Sequence, residues 1–137
     1  MIKYEPAPDL NARIRDIIRV LKMKHLDPER VICARSTGSA ASRILARVHG
    51  LAKVMQLVLG VRSVYAIEVI SETFDKLTEE DRVKTLIHEL LHIPKAFGGG
   101  LLSHKRFVTS RKVEKAYKTY VDAKTQRQVE INLDSTT

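Results

Sequence analysis

Between Thr78 and Pro94 the sequence allows little but a helix through the middle of a globular protein. Thr78 is placed to cap it, Glu79, Glu80 and Asp81 fill the first turn where negative charge suits the helix dipole, and Pro94 stops it. Val83, Leu86, Ile87, Leu90 and Leu91 cover more than half of its circumference, so neighbours are needed on several sides. Into this apolar surface are set His88, Glu89 and His92. Two histidines four residues apart project from one face of a helix, where their imidazoles can grip a single ion. Glu89, one residue on, points to the side. Its carboxylate can reach a water beside the ion without taking a coordination position.

That arrangement suits one catalytic Zn2+: two imidazoles, a third protein ligand and a water acidified to a pKa of about 7, with Glu89 as general base. His104, Glu114, His49 and His25 are the candidates for the third ligand. His104 is preferred, because Gly98-Gly99-Gly100 after Pro94 can fold the chain back over the metal face. Glu114 is the runner-up, although Arg111, Lys112 and Lys115 around it suit an ordinary ion-pairing residue.

The surroundings of the motif read as mixed secondary structure. Leu10, Ile14, Ile17, Ile18 and Leu21 predict a helix over about 10–24, capped by Asp9. Arg30 to Arg35 and Val64 to Ile70 predict strands, and Ile44 to Val48 a third. Leu51 to Leu59 shows an apolar helical face (Leu51, Val54, Met55, Val58) ending at Gly60, with strand as an alternative. A last helix begins at Ser110, turns Val113, Ala116, Tyr117 and Tyr120 inward, and frays after about Lys124. Tyr117 and Tyr120 read as core packing before oxyanion donors.

At 137 residues the chain is expected to be a single domain, residues 1–137, with an α+β fold. Apolar runs such as Val54 to Val61 are far below the roughly 20 residues that span a bilayer, and no membrane partner is expected. Met1 to Leu10 lacks the basic start and apolar run of a secretory signal, and Cys33 has no cysteine to pair with. Both point to a cytoplasmic, reducing setting, with Cys33 as a small buried hydrophobe.

The net charge of +8 is segregated. Residues 54–92 hold 4 basic and 7 acidic side chains, residues 10–53 hold 10 and 3, and residues 93–127 hold 9 and 2. Basic flanks leave room for weak nucleic-acid association, and a basic nucleic-acid-associated binding protein with a structural or inactive metal site is the alternative function. Trp is absent and no basic-aromatic interleaving appears, so a solvated charged surface is favoured.

The run from Tyr65 to Leu77, then Ile87 to Pro94, then Gly99 to His104 resembles a small metallopeptidase family of archaea and phages, over about residues 30–121. The resemblance implies a minimal zincin-like domain, a small mixed sheet packed on an active-site helix and flanking helices. It further implies that His88, His92 and His104 match the histidine ligand positions, that Glu89 matches the catalytic glutamate, and that a peptide or protein is the substrate. No glycine and histidine follow His92 at the short metzincin spacing, and the pattern is similar in spirit to the SprT-like proteases. The strand Val64 to Ile70 is expected to border the cleft and to pair with an extended peptide.

Overall fold

The computed structural model describes residues 1–40 and 43–135. Its α+β architecture runs β1 (Lys3–Pro6), α1 (Pro8–Val20), a 3-10 turn at Pro28–Arg30, β2 (Val31–Thr37), β3 (Ala46–Gly50), α2 (Lys53–Leu59), β4 (Tyr65–Ile70), α3 (Ser71–Phe74), α4 (Glu79–Leu91), α5 (His104–Phe107) and α6 (Ser110–Ser135). The four strands form one mixed sheet in the order β1-β2-β4-β3. β2 and β4 are parallel, with Cys33 opposite Ile67, and β1 and β3 lie antiparallel to them at the two edges.

Alternation along β4 sends Tyr65, Ile67 and Val69 to one face, where they are fully buried with Ile14 and Ile17 of α1 and Leu86, Ile87 and Leu90 of α4. Burying a side chain of this size contributes roughly 1.5–3 kcal/mol, so this layer is the main source of cohesion. α6 adds Val113 and Tyr120 to the same core. Tyr120 donates its hydroxyl proton to Asp16, which also pairs with Lys124, so α6 is tied to α1 at a polar point beside its apolar contact. Cys33 is buried, as its apolar neighbours suggest, and burial pushes its thiol pKa up to about 12.

Several elements depart from the sequence reading. β1 was not anticipated: four exposed residues carry no hydrophobic alternation, and only pairing with β2 makes them a strand. α1 starts at Pro8, a residue suited to the first turn because it has no N–H to leave unpaired, while Asp9 lies inside the helix and pairs with Arg35. β3 begins at Ala46 rather than Ile44. Thr109, not Ser110, caps the last helix, its Oγ1 accepting from the Lys112 N–H at 3.2 Å. α6 does not end near Lys124 but continues to Ser135. Among the described residues nothing past Tyr120 in it is buried, and pairs such as Gln126–Glu130 and Gln128–Asn132 support the exposed turns. Thr136 and Thr137 lie outside the described residues.

The largest departure concerns β4. It was expected to border the cleft and receive an extended peptide, but β2 and β3 occupy both of its edges. The strand with an open edge beside α4 is β3.

Candidate functional site

Helix α4 forms as its sequence dictates, with the Thr78 side chain accepting from the Asp81 N–H at 3.2 Å and acidic residues filling the first turn. Its last two turns carry His88 and Glu89, and His92 is its C-cap. Rising over this end, the segment after Pro94 returns His104 to the same point. The Nε2 atoms of His88 and His104 are 3.1 Å apart, those of His92 and His104 3.1 Å, and those of His92 and His88 3.3 Å.

Three imidazole nitrogens bound to one tetrahedral zinc at about 2.0–2.1 Å lie about 3.3–3.4 Å from one another. The triangle here is within a few tenths of an ångström of that, and the donor set is one that zinc accepts, so the residues fit the ion. The imidazoles must be neutral to act as ligands. Burial and the neighbouring His92 and His104 hold the His88 pKa down to about 4, which keeps its nitrogen unprotonated at neutral pH.

Two further contacts orient the ligands. His92 donates through Nδ1 to the Leu102 carbonyl at 2.7 Å, which leaves its Nε2 lone pair facing the triangle. The Leu102 N–H in turn donates to the His92 carbonyl at 2.7 Å, so the returning segment is clamped to the helix end from both sides. Tyr65 holds the glycine turn: its hydroxyl donates to the Gly100 carbonyl at 2.9 Å and accepts from the Gly99 N–H at 2.8 Å. Sequence reasoning placed Tyr65 only in the sheet core. Nothing local marks its second role, because the partners are more than thirty residues away.

Glu89 stands beside the triangle in the wall of a cleft of ≈ 760 Å³ between β3 and α4. It is 6% exposed, and burial pushes its carboxyl pKa up to about 7, offset in part by the backbone N–H of Val48. The Val48 contact shows that β3 turns its open edge toward α4. The lining also includes Arg43 to Val48 from the strand side, Lys84 and Thr85 from α4, and Leu101, Val113 and Glu114.

The structure separates the remaining candidates from the triangle. Glu114 lines the cleft but pairs with Lys84 at 2.9 Å. His49 lies on β3 with its Nε2 2.8 Å from Glu68. Among the described residues the His/Cys/Asp/Glu group able to hold a metal ion is His88, His92 and His104, and His25 is not in it. Tyr120 is engaged with Asp16 and Arg13, and the Tyr117 ring lies 5.0 Å under the Lys84 ammonium. Neither lines the cleft.

Comparison with known proteins agrees with this geometry. None of the curated proteins and none of the solved structures matches the chain. A family model described as "Putative phage metallopeptidase" matches residues 2–130, which takes in the sheet, α4 with its two histidines and the segment that returns His104. The chain therefore belongs to this family of phage metallopeptidases.

Proposed function

We propose that the chain hydrolyses peptide bonds using one zinc ion held by His88, His92 and His104, with Glu89 as general base. The observation that carries this reading is the triangle of Nε2 atoms, with edges of 3.1, 3.1 and 3.3 Å, at the base of an open cleft. Zinc bound there supplies a Lewis acid for the scissile carbonyl and acidifies a water. The Glu89 carboxylate, outside the triangle and largely withdrawn from solvent, takes a proton from the attacking water and passes it to the departing amine. Burial in the cleft wall raises its proton affinity and keeps the carboxyl from being held by bulk water.

The substrate is an extended stretch of polypeptide. Among the described residues β3 has no strand on its outer edge, so a peptide aligned there, leaving the Val48 N–H to Glu89, continues the sheet and passes over the histidines. Main-chain pairing gives affinity with little dependence on side chains.

A digest of a peptide library by zinc-loaded protein, followed by the same digest with Glu89→Gln, tests this reading. The expected result is cleavage by the parent and at least about a hundredfold less by the variant, with zinc content unchanged. Equal cleavage by the two proteins removes Glu89 from the mechanism, and a parent that binds no transition metal after reconstitution removes the metal site.

A further inference from the structure

Helix α2 is unusual for what it leaves in water. It buries none of its seven residues. Val54, Leu57, Val58 and Leu59 are 65%, 82%, 71% and 56% exposed, and Met55 and Val61 are more than two-fifths exposed. The sequence puts Leu51, Val54, Met55 and Val58 of this segment on one apolar helical face. In the structure the last three of these point to solvent.

The position of the helix is nonetheless well specified. Gly60 ends it in the left-handed conformation (φ +66°). The amide of its one polar uncharged residue, Gln56, donates to the Leu51 carbonyl at 2.8 Å and to the Gly98 carbonyl at 3.0 Å. The polar side chain thus faces the body of the protein and the apolar ones face out, the reverse of an ordinary surface helix. A contiguous apolar surface held outward in this way marks a place of contact with something else.

Charge narrows what that is. No acidic residue occurs from Arg30 to Ile67, and none from Leu90 to Val113. These two segments are the ones that meet at α2, through Gln56 with Gly98 and through Gly50 with Gly99. The rim of the apolar surface is cationic at both ends of the helix, with the exposed Lys53 at its first position and the exposed Arg62 two residues after Gly60. Two copies of the chain joined about a twofold axis at α2 would set one cationic rim against another, which disfavours a self-dimer. An anionic lipid surface complements both features: apolar side chains enter the boundary below the headgroups while lysine and arginine stay among them. No helix among the described residues is long and apolar enough to cross a membrane, so the contact is one that lies on the surface.

We propose that α2 docks this protein on anionic lipid surfaces, with Leu57 and Val58 entering the interface and Lys53 and Arg62 at the headgroups. The sequence reading expected no membrane partner because it weighed only spanning segments. The inference does not depend on the metal site or on catalysis.

Co-sedimentation of the full-length chain with vesicles tests it. One set contains phosphatidylcholine alone and the other about 30% phosphatidylserine, whose anionic surface attracts basic residues. The parent is expected to bind the anionic vesicles at least about tenfold more tightly than the neutral ones. The double variant Leu57→Asp with Val58→Asp is expected to lose at least about tenfold of that binding, at unchanged melting temperature, because those side chains lie in solvent. Lys53→Glu with Arg62→Glu is expected to abolish the preference for phosphatidylserine. Three results overturn the proposal: no sedimentation of the parent with either set, binding that the Leu57/Val58 variant leaves unchanged, or a self-dimer in sedimentation equilibrium that the same variant dissolves while vesicles capture nothing.

Discussion

Gly50 and Gly99 approach so closely that a Cβ on Gly50 would lie 2.1 Å from the Gly99 carbonyl oxygen. One ends β3 and the other begins the return of His104, so this contact sets the distance between β3 and the third histidine. Gly99 also has φ +111°, and a Cβ there would lie 2.3 Å from the Leu51 carbonyl oxygen. Neither position accepts a side chain without movement of the backbone.

Gly50→Ala and Gly99→Ala are therefore expected to cost about 1–3 kcal/mol of stability and to lower zinc affinity by at least about tenfold by displacing His104. Gly60→Ala is the comparison. It strains a left-handed residue by about 1–2 kcal/mol, meets nothing within 4 Å, and should leave zinc affinity alone. Melting curves and competitive zinc titrations on the three variants measure both effects. If Gly60→Ala weakens zinc as much as the others, the loss comes from general destabilisation.

Tyr65→Phe removes one hydroxyl and with it the bonds to both Gly99 and Gly100. Both bonds are lost from a part-buried turn that water can reach, so a loss of about 0.5–1.5 kcal/mol is expected, together with weaker zinc binding. Chemical denaturation with and without zinc separates the two: positioning by Tyr65 requires that the stabilisation gained from zinc shrink in the variant.

His104→Ala leaves two ligands on one helix and should weaken zinc strongly, whereas Glu114→Ala, which loses only a contact to Lys84, should leave affinity nearly unchanged. Because binding to the native state raises its stability, His104→Ala should also lose most of the melting shift that a chelator produces in the parent. Loss of zinc from Glu114→Ala with retention in His104→Ala reverses the ligand assignment.

Asp16 anchors α6 to α1 and responds to acid. Burial raises its pKa, but hydrogen bonds from Lys124, Tyr120 and Arg19 outweigh this and hold it down to about 2 from an ordinary 3.8. A carboxyl depressed in the folded state contributes stability that is complete above its unfolded pKa and disappears as the folded group protonates. The contribution should thus fade as pH drops from about 4 toward 2. Asp16→Asn is expected to lose about 1–2 kcal/mol at neutral pH and to flatten this stretch of the acid stability curve, without effect on zinc.

Much of the site was readable because its signals are local. Thr78, the acidic first turn and Pro94 delimit α4, and helical spacing alone puts His88 and His92 on one face. His104 needed one further step, from a run of glycines to a reversal of the chain. What escaped depends on partners distant in sequence. Whether β4 is central or at an edge is decided by the pairing of residues 31–37 and 46–50 on either side of it, which alternation within residues 64–70 does not encode. The apolar spacing of residues 51–59 correctly indicated a helix but not its orientation, since periodicity identifies a stripe and not what the stripe meets. Gly98 to Gly100 does form the expected turn, but it is held in place by Tyr65 and by Gly50, which its glycines do not announce.

The clamp between His92 and Leu102 and the tether from Tyr65 to the glycine turn are made wholly of protein groups. With these bonds supplied by protein groups, the chain is expected to keep its fold when metal is removed, unlike a zinc finger, whose chain collapses. A chelator should accordingly silence the protein while leaving its circular dichroism in place, and returning zinc should restore activity on the timescale of diffusion and ligand exchange rather than of folding. Cellular zinc supply would then act on such a chain as a reversible switch, with a reserve of folded, inert molecules ready to be loaded.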